Sequence, residues 1–533
     1  MTKITNPILP GFNPDPSICR VGNTYYLAVS TFEWYPGVQI YSSTDLANWE
    51  LIARPLDRKD QLDMRGNPDS CGIWAPCLSY CDNQFWLVYT DMKRYQGVFK
   101  DGFNYIVTAP HIKGPWSKSS FLNASGFDPS LFHDDDGRKW LVQMLWDYRS
   151  RPNNFAGIAL QEFDTNTRSL IGERKIIFYG TDLKLTEGPH LYKRNGYYYL
   201  LTAEGGTEYD HACTLARSKN LEGPYELHPE KYILTAKDHP LHPIQRAGHG
   251  DIVDTPEGKT YLVHLMGRPI TQKRRCVLGR ETGIQEAQWR KDDWLWLTNG
   301  SLPSVEVDLP GSIDIRNQMK EKYYSFNTPK LPKDFQWLRT PQPERLFSLT
   351  ENPGHLRLYG RESIGSWHEQ SLVARRQIHF NYRAETELSF SPQDERQMAG
   401  LTAYYGRHAF YYAGVTAHSD GRREIMIICA VADNPTGQLQ FPTRPVSIPN
   451  TGKVRLALRV EAGMLQFFYA LKDSNGLLPI GPRLDATILS DEASGFCGDG
   501  RFTGAFVGMC AQDMNGTALP ADFNYFSYAP LFA

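Results

Sequence analysis

Long apolar runs are missing from this sequence. No stretch of 18 apolar residues occurs, which argues against a membrane-spanning helix. An excess of charge of one sign is missing too. The 57 Lys and Arg are met by 59 Asp and Glu, a formal net charge of -2. No basic field is left to hold nucleic acid or an anionic membrane, so neither is expected as a partner. The opening Met-Thr-Lys-Ile-Thr-Asn-Pro7 has no apolar h-region and no small-residue cleavage site, which predicts a cytoplasmic protein. Cysteines are few, nine in all and odd in number. Cys71, Cys77 and Cys81 cluster without the spacing of a common zinc motif, so reduced thiols and no bound structural metal are expected. A phosphate-binding Gly loop, a Gly-x-Ser-x-Gly elbow and a His-Glu-x-x-His motif are all absent, so nothing supports the chemistry those motifs serve.

Aromatic side chains are plentiful, at 13% with 12 Trp and 29 Tyr. Most suit strand cores, and some suit stacking on the C–H faces of sugars. A chain of 533 residues exceeds what one core usually supports, so two domains are expected.

The first 300 residues carry an internal repeat. Asp15-Pro-Ser-Ile-Cys-Arg-Val-Gly-Asn-Thr-Tyr-Tyr-Leu27 is its first copy. Later copies run from Trp74 to Leu87, Asp128 to Leu141, Glu187 to Leu200 and His249 to Leu262. Each has a Pro or Gly, an apolar pair, a turn and an aromatic-rich strand. The gap from leading residue to closing Leu is 13 in four copies and 12 in the first, with a period of 54 to 62. Asn-Gly and Asp-Gly pairs supply hairpin turns, and helical periodicity is scarce. Five such units predict a five-bladed β-propeller over residues 1–310, with a plain β-sandwich as the alternative.

In a propeller the innermost strands line a central channel. The leading residues Asp15, Trp74, Asp128, Glu187 and His249 are therefore expected to converge on one axis. Taken singly, Asp15 in Asn-Pro-Asp reads as a turn residue. Three acids at matching channel positions argue otherwise. Carboxylates crowded into a partly dry cleft separate in pKa, and that separation suits an acid and a base working at one pH. Two carboxyls flanking a glycosidic bond suffice for its hydrolysis.

At these residues the sequence resembles glycoside hydrolase family 43, in particular its bacterial two-domain β-xylosidases. The resemblance rests on Gly11-Phe-Asn-Pro-Asp-Pro-Ser-Ile18, Ser30-Thr-Phe-Glu-Trp34 and Gly72-Ile-Trp-Ala-Pro76. It continues in Gly126-Phe-Asp-Pro-Ser-Leu131, Leu185-Thr-Glu-Gly-Pro-His-Leu191, Leu278-Gly-Arg-Glu-Thr282 and Phe502-Thr-Gly-Ala-Phe-Val-Gly-Met509. It spans nearly the whole chain. The resemblance implies an inverting exo-glycosidase that removes xylose from β-1,4-xylooligosaccharides, with α-L-arabinofuranosidase side activity. Asp15 is implied as general base, Glu187 as general acid, and Asp128 as the group that orients the acid and tunes its pKa. For inversion the base and acid carboxyls should stand ~6.5–9.5 Å apart. Phe32, Trp74 and Trp146 look like sugar-pocket walls, with propeller core as the alternative. Arg280 looks like an arginine that binds substrate hydroxyls. His249 is open to two readings: a holder of water or of a divalent cation such as Ca2+ on the axis, or a neutral structural histidine. No cofactor is required. Homo-oligomerisation is implied. The Pro269 to Val277 segment looks shorter than in similar enzymes. Asp134-Asp-Asp-Gly137 reads as a solvated turn.

Past residue 300 the repeat gives way to Pro-punctuated chain and then to alternating strands such as His355–Tyr359, Glu385–Phe390 and Val454–Val460. Period two predicts an antiparallel, jelly-roll-like β-sandwich over residues 311–533. By the resemblance it packs on the propeller and closes the pocket with a phenylalanine, for which Phe506 is the candidate. Two rival readings remain: an arabinofuranosidase or arabinanase on the same fold, and a non-catalytic carbohydrate-binding protein.

Overall fold

A computed structural model describes residues 2–149, 154–311, 320–431, 438–471, 476–493 and 501–532. The boundary expected at 310/311 falls at the edge of residues 312–319, which lie outside the described residues, as does Cys497. The other eight cysteines are free thiols. Among the described residues there is no α-helix, only two short 3-10 turns at Pro343–Arg345 and Ala486–Ile488.

Five four-stranded antiparallel sheets follow one another along the chain, four of them built from consecutive strands and the first leaving out the short strand Trp34–Tyr35. Their innermost strands are Ser17–Val21, Gly72–Cys81, Gly126–His133, Glu187–Arg194 and Gln245–Asp254. These are the five blades of a β-propeller. The closing leucines of the repeat, Leu27, Leu87, Leu141, Leu200 and Leu262, sit on the second strands and are buried between blades. Such a side chain contributes about 1.5–3 kcal/mol on burial. The ring closes where blade five meets blade one. There Asp251 Oδ2 accepts hydrogen bonds from Ser17 Oγ (3.0 Å) and Ile18 N (2.8 Å). Thr2–Thr5 also pairs with Glu306–Leu309 across the ends of this region.

The strand register corrects the repeat. The closing leucines pair with Ile18, Leu78, Leu131, Leu191 and Ile252. Three residues before these lie the true counterparts: Asp15, Ala75, Asp128, Gly188 and His249. All five hold a left-handed backbone, with φ of 54, 33, 52, 52 and 46°. That conformation is uncommon outside glycine, and its recurrence marks a kink built into every blade. Trp74 and Glu187 stand one residue earlier than the equal gap of 13 suggests. The cause is turn length. Blades one, two and four turn in two residues, as between Val21 and Thr24, whereas blades three and five use five, as between His133 and Lys139. Nor is the Asp134 turn fully solvated. Asp134 is buried and accepts from Lys193 Nζ at 2.6 Å and Tyr198 Oη at 3.0 Å, tying blade three to blade four.

The rest of the chain forms one eight-stranded sheet and one to which it contributes seven strands, packed face to face. One sheet has Phe506–Asp513 between Ser371–Arg376 and Gln397–Gly406. Its edge strand Phe335–Leu338 pairs with Trp34–Tyr35, a segment of blade one. The sheet therefore continues from the sandwich into the propeller. Arg339 reinforces the junction. It is fully buried and bonds Asp69 Oδ1 (2.6 Å), Asn67 O (2.7 Å) and Gln370 Oε1 (2.7 Å).

Candidate active site

A cavity of about 450 Å³ opens at one end of the propeller channel. Asp15, Asp128, Glu187 and His249 face it from the blades, and Phe32, Trp74, Phe127 and Trp146 form apolar walls. Beneath it the axis narrows to a space of about 10 Å³ bounded by Pro16, Pro76, Pro129, His190 and His249. That is room for at most about one water.

The kinked backbone places each acid. Asp15 is 6% exposed. Its Oδ2 accepts from Ser30 Oγ at 2.6 Å, and Ser30 Oγ in turn accepts from Ala75 N at 2.8 Å. Arg280 Nη1 lies 3.2 Å from Asp15 Oδ1. Burial pushes the Asp15 carboxyl up, but Arg280, His249 and the Ser30 hydroxyl together outweigh it and hold the group below the usual aspartate value. Asp128 accepts the Gly188 N–H at 3.0 Å, and Arg280 pulls on it less than the neighbouring carboxyls push. Burial, then the charges of Glu187 and Asp15, push it well above the ordinary range. Glu187 is pushed up to about 7, first by burial and then by Asp15, against the pull of Lys100 and Arg280. Burial lowers His249 to about 4, so its ring is neutral.

The walls are tied in place. Trp74 Nε1 donates to Ser70 O (2.9 Å), and Trp146 Nε1 to Val98 O (2.8 Å). The Arg280 guanidinium lies 5.1 Å from the Phe32 ring centre. Among the described residues, no group of three or more His, Cys, Asp or Glu side chains is arranged to hold a metal ion. The described side chains around His249 do not by themselves form a cation cage.

Phe506 is not a pocket residue. It opens a central sandwich strand, is fully buried, and stacks on Trp34 at 3.7 Å between ring centres. The side chain that reaches the cavity from the sandwich is Phe502, four residues earlier, before the strand begins. Its ring meets Trp74 edge-on at 5.9 Å. Both phenylalanines lie in Phe502-Thr-Gly-Ala-Phe506, and only the start of the strand separates their roles.

Lys100 and Thr207 are among the lining residues not picked out from the sequence. Lys100, from the second blade, rests its ammonium 4.5 Å from the Trp146 ring centre and donates to Tyr95 O at 3.0 Å. Thr207 accepts from Arg280 Nη1 at 3.1 Å. A Gly-Gly pair just before Thr207 signals its turn, whereas nothing in the sequence marks Lys100.

Set side by side, these groups can hold one carboxyl ionised and another protonated across a sugar-sized cavity. Known proteins share the arrangement's frame. The model of the glycosyl hydrolases family 43 matches residues 4–295, and that of the beta xylosidase C-terminal Concanavalin A-like domain matches 324–529. Xylosidase/arabinosidase 43B of Humicola insolens is 65% identical over 532 residues, covering 100% of this chain and 98% of its own. A beta-xylosidase of Bacillus subtilis (strain 168) is 48% identical over 99% of each chain. The crystal structure of a xylan beta-1,4-xylosidase from Bacillus halodurans C-125 superposes with a TM-score of 0.95 at 48% identity, covering 99% of this chain and 100% of that one. With the propeller and the sandwich both matched and full-length relatives at this identity, the chain belongs to glycosyl hydrolases family 43.

Proposed function

We propose that the protein is an exo-acting, inverting β-xylosidase that releases xylose from the non-reducing end of β-1,4-xylooligosaccharides, with α-L-arabinofuranosidase side activity. The observation that carries this is one cavity in which Asp15 is held ionised while Glu187 is pushed up to about 7. Asp15 takes a proton from a water that attacks the anomeric carbon. Glu187 gives its proton to the departing glycosidic oxygen. No covalent sugar–enzyme bond forms, and the released xylose carries the α configuration. Asp128, itself reluctant to ionise beside Glu187, orients the acid and keeps the pair from losing both protons. Phe32, Trp74, Trp146 and Phe502 present apolar faces to the sugar rings, while Arg280 and His249 offer donors to its hydroxyls. Exo action is supported by the narrowing of the axis below the cavity, which leaves no passage for a chain to thread through.

The names of the relatives support the substrate class, and the pairing of xylosidase with arabinosidase in one of them supports the side activity. Eight unpaired thiols favour a cytoplasmic setting in which imported oligosaccharides are the substrate. The protein is read as a homo-oligomer, which sedimentation of the purified chain tests.

Proton NMR of xylobiose hydrolysis is the deciding experiment. α-Xylose appears first, and Asp15→Ala and Glu187→Ala are nearly inactive. β-Xylose appearing first would sink the mechanism. An intact xylobiose beside a cleaved arabinofuranoside would move the substrate while keeping the site.

A further inference from the structure

Arg280 is held by more than its carboxylate partner. Its Nε and Nη2 donate to the Phe502 carbonyl at 3.0 and 2.6 Å, and its Nη1 to Thr207 Oγ1. Both supports lead to one buried ion pair. Arg246, on the innermost strand of blade five, donates from Nε to Thr207 O at 2.9 Å. Its Nη2 lies 2.9 Å from Asp491 Oδ2 in the sandwich. Asp491 Oδ1 accepts the Phe502 N–H at 3.1 Å and the Tyr405 hydroxyl. The bonds close a ring: Arg280, Thr207, Arg246, Asp491, Phe502 and back to Arg280. Its three charged side chains are each no more than 5% exposed. Two members hold left-handed backbone, Arg246 at φ 56° and Phe502 at φ 88°. A non-glycine residue keeps such a conformation only where its surroundings over-determine it.

We propose that Arg246 and Asp491 are positioning residues that aim Arg280, and through it Asp15, so that the sandwich completes the base side of the site. The idea rests on the assignment of Asp15 as general base. An ordinary domain-binding ion pair would secure the junction without governing Asp15. Glu492 separates the two cases. It also pairs with Arg246, at 3.0 Å, but its other oxygen takes the Cys276 N–H (2.9 Å), outside the ring.

The test compares Asp491→Asn with Glu492→Gln in the full chain, using 4-nitrophenyl β-D-xylopyranoside. Asp491→Asn is expected to lower kcat about tenfold. It also moves the acidic limb of kcat/KM to higher pH, because a loosened Arg280 no longer favours ionised Asp15. Glu492→Gln leaves that limb in place even where its thermal midpoint falls as far. Equal limb positions in both variants overturn the proposal. If Asp491→Asn does not fold, Arg246→Lys, which keeps the charge and loses the Nε donation, reads the same limb. A crystal structure of the variant decides independently of turnover. Phe502 O displaced from Arg280 supports the ring, and an unmoved Arg280 overturns it. A wild-type protein inert on xylosides would instead count against the function, leaving that crystal structure to judge the ring.

Discussion

Asp15 and Glu187 share one cavity, and burial pushes both carboxyls upward, yet they end on opposite sides of their ordinary values. On the Asp15 side a guanidinium, an imidazole and a hydroxyl converge on two oxygens. On the Glu187 side the cation with the largest pull is Lys100, itself weakened by burial, and the raised Asp128 shares the cavity. Burial alone would make two weak acids. The placement of fixed charge turns one of them into a base, and the roles are read from neighbours rather than from depth.

The comparison can be broken most directly at the two acids. Asp15→Asn is expected to cut kcat by roughly 10²–10⁴-fold on xylobiose and on a nitrophenyl xyloside alike. Glu187→Gln should do so on xylobiose only. Nitrophenolate departs without a proton, so the loss on the aryl substrate is at least about tenfold smaller. Equal losses on both substrates would mean that Glu187 is not the proton donor.

A smaller effect is expected where the two sides touch. A Cβ at Gly188 would meet the His249 ring at 2.8–3.0 Å, at a φ of 52°. Gly188→Ala should therefore lower stability by more than about 1 kcal/mol and reduce kcat, read by thermal unfolding and by turnover. An unchanged midpoint would show that His249 is free to move.

The finest test is electrostatic. Of the two cations that pull Glu187 down, Lys100 pulls harder than Arg280. With Lys100→Met the acid's pKa rises above about 7, so activity, which needs Glu187 protonated, persists to higher pH. The acidic limb, set by Asp15, stays where it was. Movement of the acidic limb alone would reverse the assignment of the two sides.

Much of this was legible in the residues. The closing leucines gave the blade number because each fills the same interblade position. Asp15, Asp128 and His249 were found because hairpin length leaves their order along the channel intact. The offsets of Trp74 and Glu187 were hidden, since a two-residue turn and a five-residue turn yield almost equal spacings once the kink is ignored. Phe506 is picked out and Phe502 missed because both lie in one motif, and only the strand's first hydrogen bonds decide which ring faces the core. Lys100 and the ring through Arg246 and Asp491 depend on chain segments that meet only after folding. No local pattern announces them.

The sheet shared by the two domains has a consequence in time. Trp34–Tyr35 waits for Phe335–Leu338, and the neighbouring bond from Gln336 to Pro36 spans 300 residues. At roughly 5–20 residues per second, a ribosome takes about 15–60 s to bridge that distance. Throughout that interval blade one presents an unpaired strand edge while later blades emerge around it. A slower or interrupted translation would lengthen the exposure of that edge, and any passing chain with a free strand could occupy it first.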